Sequence, residues 1–191
     1  ALARFQNHSS LRNEVLNVLF VEQIPAEIRV INQHLAHNSP HIRLTAVASA
    51  EDALTHLPKL STETVNFDLL LVNYHLPGMD GLELTRVVRN ERGLTIPIVL
   101  ITSLGSEELA VRALQLGVDD YLMKRQGYLD ELATTLEKVK GQADLKHERD
   151  RLDAVIASMR DGLVVLDPDG QPVLHNRAAQ PLLQMIGSQA A

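Results

Sequence analysis

The sequence predicts an α/β fold, a parallel sheet with helices packed on both of its faces. Five short β-rich runs, at 15–21, 42–47, 69–72, 97–102 and 120–124, alternate with stretches that carry apolar residues at helical spacing. The central runs are apolar almost throughout, as fully buried strands are. Strand twist makes the crossovers between them right-handed.

Composition bounds what such a fold can be used for. A chain of 191 residues, 45% of them apolar, holds one ordinary domain and a remnant, or two small domains. Trp is absent and aromatics are scarce, so aliphatic side chains must fill the core. The net charge of −6 argues against a general nucleic-acid binder, and no nucleic-acid partner is expected. With no Cys, disulfides, thiol catalysis and cysteine zinc sites are excluded. No apolar run reaches the roughly 20 residues of a membrane helix, and the first residues lack the apolar stretch of a signal peptide. A cytoplasmic location without membrane contact is expected.

Residues 1–14 are mixed and polar and read as an N-terminal linker. Val15–Val21 is a buried first strand that ends in Glu22-Gln23. Pro25 suits the first turn of a helix, which Ile28, Ile31 and Leu35 continue until Asn38-Ser-Pro40. Ile42–Val47 alternates as a second strand. Ser49 is placed to cap a helix over Ala50–Leu60, with Ala53, Leu54 and Leu57 inward. Leu69–Val72 is too short for a helix and reads as a third strand. Polar Asn73 follows it, then a turn marked by Pro77, Gly78 and Gly81. Leu82, Leu84, Val87 and Val88 form the apolar face of a helix that runs to about Glu91. Pro97–Thr102 is the fourth strand. Ser106 with Glu107 and Glu108 starts a helix that carries Leu109, Ala113, Leu114 and Leu116 and ends at Gly117. Asp120–Lys124 is the fifth strand, and a last helix begins from Gly127.

The stretch from Phe67 to Gly81 resembles the third strand and following loop of the receiver domain of bacterial two-component response regulators. The resemblance implies a flavodoxin-like, doubly wound five-stranded sheet of order 2-1-3-4-5. In that family the residue four before the loop proline is the phosphoryl-accepting aspartate, and here that position is Asn73. The acidic pair that helps to hold Mg²⁺ falls on Glu22 and Gln23. The hydroxyl and ammonium that contact phosphoryl oxygens fall on Thr102 and Lys124. The aromatic switch position falls on Tyr121, and Arg125 stands where the family carries a proline.

A neutral amide is not a useful nucleophile toward phosphorus. Gln23 and Asn73 together remove two of the charges on which a Mg²⁺ site draws. No metal and no cofactor is therefore expected, with Mg²⁺ entering only if the pocket is competent. That Gln23 accompanies Asn73 points to natural loss rather than to an introduced change. His34, His37 and His41 read as a solvated helix end, since no acidic partner is near in sequence. His75 faces the loop after Asn73. Asp68 begins its strand at the far end of the sheet and Asp80 reads as a turn or cap residue, so neither replaces Asn73.

Leu129, Leu132, Leu136, Val139 and Ala143 form a stripe that resumes at Leu145, Leu152, Ile156 and Met159. The spacing is consistent with a helix that leaves the domain and pairs in a coiled coil, although Gly141 and a phase break near Ala143 count against one unbroken rod. Asp161–Gly170 then reads as a strand and turn, and Pro172–Asn176 as a second strand, with Asn176 capping a helix from Arg177. This end resembles the opening of an α+β PAS sensor domain. The expected organisation is a linker at 1–14, a receiver domain at 15–128, a helical linker at 129–160 and the N-terminal part of a PAS domain at 161–191.

Together the resemblances imply a signalling module of a multidomain two-component sensor or regulator. It is expected to be independent of phosphorylation and to act by protein–protein contact and dimer rearrangement. Its expected partners are a second copy, through the helical linker, and a histidine kinase or phosphotransfer protein. Two alternatives stay open. One is a conventional phosphorelay receiver with Asn73 as an engineered or unusual block. The other is a ligand-sensing PAS regulator of a kinase or cyclic-dinucleotide output. No hydrolase triad, phosphate-binding glycine loop or dinucleotide fingerprint is present, so this chain is not expected to be an enzyme.

Overall fold

The computed structural model describes residues 15–181 apart from 104 and 106. The expected linker at 1–14, the helix start at Ser106 and the end of the PAS-like segment lie outside the described residues. The chain divides into two units, Ala1–Ala143 and Asp144–Ala191.

In the first unit, strands β1 (Leu16–Val21), β2 (Ile42–Val47), β3 (Leu69–Asn73), β4 (Ile98–Thr102) and β5 (Asp120–Met123) lie parallel in the order β2-β1-β3-β4-β5. Every residue of β3 and β4 is buried, which is why those runs read as continuously apolar. Side chains alternate across the sheet and feed two cores. Leu70, Val72, Ile98 and Leu100 face one core, and Leu69, Leu71, Val99 and Ile101 face the other.

Helix α1 (Pro25–Asn38) starts on its proline and buries Ile31 and Leu35. Helix α2 (Ala50–His56) is capped by Ser49, whose Oγ accepts from Asp52 N at 3.1 Å. It stops short of the expected Leu60. Pro58 disfavours helical backbone at the residue before it, and Leu57 is extended. Helix α3 (Gly81–Arg86) is capped by Asp80 Oδ1 on Glu83 N at 2.8 Å and continues as a π turn over Val87–Glu91. Helix α4 (Glu107–Gln115) buries Ala113, with Leu109 and Leu116 partly buried. Leu114, expected inward, is 55% exposed, because it is one position and about 100° around the helix from Ala113.

Helix α5 (Tyr128–Ser158) runs without a break through Gly141. Leu132, Leu136 and Val139 are buried in the same core as Ile31 and Leu35 of α1. This half of the stripe packs within the domain rather than on a partner helix, and the core reaches beyond the expected boundary at 128. Leu145, Leu152 and Met159, farther along, are exposed.

In the second unit, β6 (Val164–Leu166) and β7 (Pro172–His175) form an antiparallel pair. Buried Asn176 ties it together. Its Oδ1 accepts from Leu163 N and Ala179 N at 2.9 and 3.1 Å, and its Nδ2 donates to Asp161 O at 2.8 Å and Ile156 O at 3.3 Å. Among the described residues, no helix is long and apolar enough to cross a membrane.

Candidate functional site

Parallel strands end together, so β1, β3, β4 and β5 deliver Glu22, Asn73, Thr102 and Lys124 to one end of the sheet. Glu22 and Thr102 are fully buried and Asn73 nearly so. Asn73 Nδ2 donates to Glu22 Oε2 at 2.7 Å, and Lys124 Nζ donates to the same oxygen at 2.9 Å. Glu22 Oε1 accepts from Ile24 N at 3.0 Å. Asn73 Oδ1 accepts from His75 N at 3.2 Å. The amide thus lies between an anion and a backbone donor and satisfies both.

Lys124 Nζ also donates to Glu27 Oε2, from the first turn of α1. Sequence reasoning missed this residue. Its signal is modest: α1 follows β1, so an acid in its first turn sits beside the carboxyl ends of the strands. Burial pulls the Lys124 ammonium down, but the hydrogen bonds and charges of Glu27 and Glu22 prevail and hold it above the usual lysine range. Burial pushes the Glu27 carboxyl up, but the hydrogen bond from Lys124 and the Lys124 charge hold it below the usual carboxylate range. The Tyr128 phenol, at the start of α5, is pushed up by burial while feeling all three charges, so the cluster borders that helix.

Glu22 and Gln23 diverge. Gln23 is exposed, and its Nε2 donates to His75 O at 3.3 Å. Thr102 accepts the Lys124 amide on its carbonyl at 2.7 Å. Tyr121 is partly buried against the core that holds Leu100, and burial pushes its phenol up. Arg125 keeps an amide that donates to Met123 O at 2.8 Å, a donor that proline would lack. Asp68 accepts from Asn17 N at 2.8 Å at the opposite end of the sheet.

The histidines depart from expectation. His41 Nε2 lies 2.8 Å from Glu137 Oε1, and His34 Nε2 lies 3.7 Å from Asp130 Oδ1. Both acids come from α5, far along the chain, so these histidines join α1 and its following turn to that helix.

Mg²⁺ asks for near-octahedral oxygen ligands, commonly carboxylates. The residues at this end do not fit it. Both oxygens of Glu22 already hold donors, Asn73 turns its N–H toward Glu22, and Gln23 is a neutral amide that donates to the His75 carbonyl. Among the described residues, no group of three or more His, Cys, Asp or Glu is placed to hold a metal.

A family model for the response regulator receiver domain matches residues 18–137. The chain belongs to that family. It is therefore a receiver domain of two-component signalling, with further sequence after it. It is 30% identical over 130 residues to the chemotaxis protein CheY of Pseudomonas aeruginosa, covering 66% of this chain and all of CheY. It is 29% identical over 170 residues to the transcriptional activator protein PfeR of the same organism, covering 88% of this chain but only 50% of PfeR. Among solved structures, it is similar to the receiver domain of sensor histidine kinase PA1611 from P. aeruginosa, which holds a magnesium ion in its active-site cleft. That match has 31% identity and a TM-score of 0.53, over 66% of this chain and 98% of the other. The observed strand order is the one that the resemblance to receivers implies.

Proposed function

We propose that this receiver signals by contact and not by accepting a phosphoryl group. One observation carries the reading, the hydrogen bond from Asn73 Nδ2 to Glu22 Oε2 at 2.7 Å. At the acceptor position stands an amide that donates a proton, where chemistry on phosphorus needs a carboxylate that attacks it. Phosphoryl transfer also depends on charge neutralisation by metal, and the residues around Glu22 do not fit Mg²⁺. Asn73 is neutral, so the domain rests in the state of an unphosphorylated receiver.

In this reading the receiver passes its state along α5 into residues 144–191, read as the opening of a PAS domain. A second copy pairs through the exposed stripe at Leu145, Leu152 and Met159, spaced by sevens. A histidine kinase or phosphotransfer protein docks without transferring phosphate. The chain itself is not an enzyme, and the module works in the cytoplasm. PfeR, of which this chain spans half, is a transcriptional activator, so the charge argument against nucleic acid concerns this segment and not the whole protein.

The magnesium in the PA1611 receiver favours a second reading, a conventional pocket blocked only at Asn73. Intact-mass analysis after incubation with acetyl phosphate and Mg²⁺ separates the two, with Asn73→Asp run alongside. The unaltered chain is expected to gain no phosphoryl group, and a stoichiometric gain would sink the contact-only reading. Efficient labelling of Asn73→Asp alone would favour the second.

A further inference from the structure

Lys124 sits between two carboxylates from different elements. Glu22 follows β1 and Glu27 lies in the first turn of α1, and Nζ donates to Oε2 of each. The lysine side chain is only 8% exposed. The ammonium that phosphoryl oxygens would need is thus already liganded by anions of the same chain. We propose that Glu27 is a built-in ligand that occupies Lys124 in place of an incoming oxyanion, and that it obstructs phosphoryl transfer independently of Asn73. This rests on the reading that the receiver does not accept phosphate, and it adds a second cause to the missing nucleophile.

The physical argument is one of competition. A charge-assisted hydrogen bond in a largely water-excluded site is strong. An oxyanion arriving from solvent pays for desolvation and for lost translational freedom, whereas Glu27 is tethered to α1. Glu27 also places negative charge beside the path of a negatively charged donor.

The test restores the nucleophile first. In Asn73→Asp, a carboxylate oxygen would attack the phosphorus of acetyl phosphate in the presence of Mg²⁺. The bond from phosphorus to the acetyl oxygen breaks and acetate leaves with its electron pair. Labelling rates are read by intact mass on this variant alone and combined with Glu27→Gln, with Glu51→Gln, and with Glu27→Gln plus Lys124→Met. Glu51 is the charge control: its Oε1 lies 3.2 Å from where a Cβ on Gly78 would stand, in the loop after β3, whereas Lys124 donates to Glu22 and Glu27. Glu27→Gln is expected to raise the rate by about tenfold or more. Glu51→Gln is expected to change it by less than about twofold, since exposed charge is screened. Removing Lys124 is expected to erase the gain.

Equal rates with and without Glu27→Gln would overturn the inference. So would an equal gain from Glu51→Gln, a gain that survives Lys124→Met, or no labelling of any variant. Thermal melts accompany each chain, and Glu27→Asp, which shortens the reach, replaces a Gln variant that does not fold and is expected to give a smaller gain. Labelling of the unaltered chain would instead refute the proposed function, whatever Glu27 does.

Discussion

Replacing Lys124 by Met tests the buried charge cluster by its effect on stability. Glu22 is fully buried, and its carboxylate draws on Asn73 Nδ2 at 2.7 Å, Lys124 Nζ at 2.9 Å and Ile24 N at 3.0 Å. Only Lys124 brings a compensating charge. Removing one partner of a buried ion pair costs about 3–5 kcal/mol, because the other charge stays behind. Two neutral donors remain on Glu22, each worth about 1 kcal/mol net, and they soften that cost. Glu27, with its side chain 32% exposed, turns toward water and adds little. Met fills the volume of the lysine stem. The expected loss is about 2–3 kcal/mol, or about 10 °C in Tm for a domain of this size.

The pH dependence follows from the two shifts. Burial lowers Lys124, but its carboxylate partners raise it further, so its contribution is complete below the ordinary lysine value and is lost as pH rises through the raised one. Burial raises Glu27, but Lys124 lowers it further, so its contribution is present above the ordinary carboxylate value and is lost as pH falls through the lowered one. Both operate together between about pH 5 and pH 10. Melts followed by circular dichroism should therefore show the widest gap between the two proteins in that window, shrinking as pH falls through the lowered Glu27 value. A Tm loss below about 3 °C at neutral pH, or a gap that does not narrow anywhere on acidification, would refute the reasoning.

Other parts of the structure offer independent checks. Mg²⁺ at about 10 mM is expected to move the Tm of the unaltered chain by less than about 1 °C, and a saturable rise would show that the pocket takes the metal after all. Gly81→Ala would set a Cβ 2.6 Å from the Asn73 carbonyl oxygen and 2.9 Å from Leu100 Cδ1. Its cost is expected to be about 2 kcal/mol, read as a lower urea midpoint, and an unchanged midpoint would mean that the loop yields freely. Asn176→Ala removes four hydrogen bonds, and amide exchange in β6 and β7 is expected to quicken by about tenfold or more while β1 to β5 keep their protection. Leu145→Asp with Leu152→Asp is expected to convert a dimer to a monomer in sedimentation, and a monomeric unaltered chain at about 50 µM would end the coiled-coil reading.

Elements set by local chemistry were readable from the sequence. Four consecutive apolar residues before Asn73 gave β3, Ser49 gave the start of α2, and Asp80 gave the cap of α3. The misreadings came from forces that act at a distance or from a local rule left unused. Pro58 ends α2 early by a rule that was available. The stripe from Leu129 to Val139 carries the spacing of any amphipathic helix, and spacing alone does not tell a domain's own core from a partner's helix. Glu27 with Lys124, and His41 with Glu137, join residues about a hundred positions apart, and only the folded sheet and its flanking helices bring them together.

On the proposed reading, the charges around Lys124 connect the neutral residues at positions 23 and 73. Carboxylates at both, added to Glu22, would place three anions at one end of the sheet, a load that calls for a divalent cation. Asn73 and Gln23 remove two of them. What remains is Glu22 and Glu27 against Lys124, with part of Glu27 still in water. That cluster carries a single net negative charge without any ion, shared with water through Glu27, and every buried side-chain polar atom among the described residues has a partner. On that reading an amide at position 73 also lowers the demand for metal, and Lys124 is left to its own carboxylates. Restoring Asp at 73 reverses only part of this. It returns a nucleophile and sets three carboxylates against one ammonium, so affinity for Mg²⁺ is expected to rise with the substitution. Phosphorylation is expected to stay slow until Lys124 is also released from Glu27. Stronger Mg²⁺ binding with slow phosphorylation in Asn73→Asp, quickened by Glu27→Gln, would therefore assign the remaining block to the lysine and not to the metal.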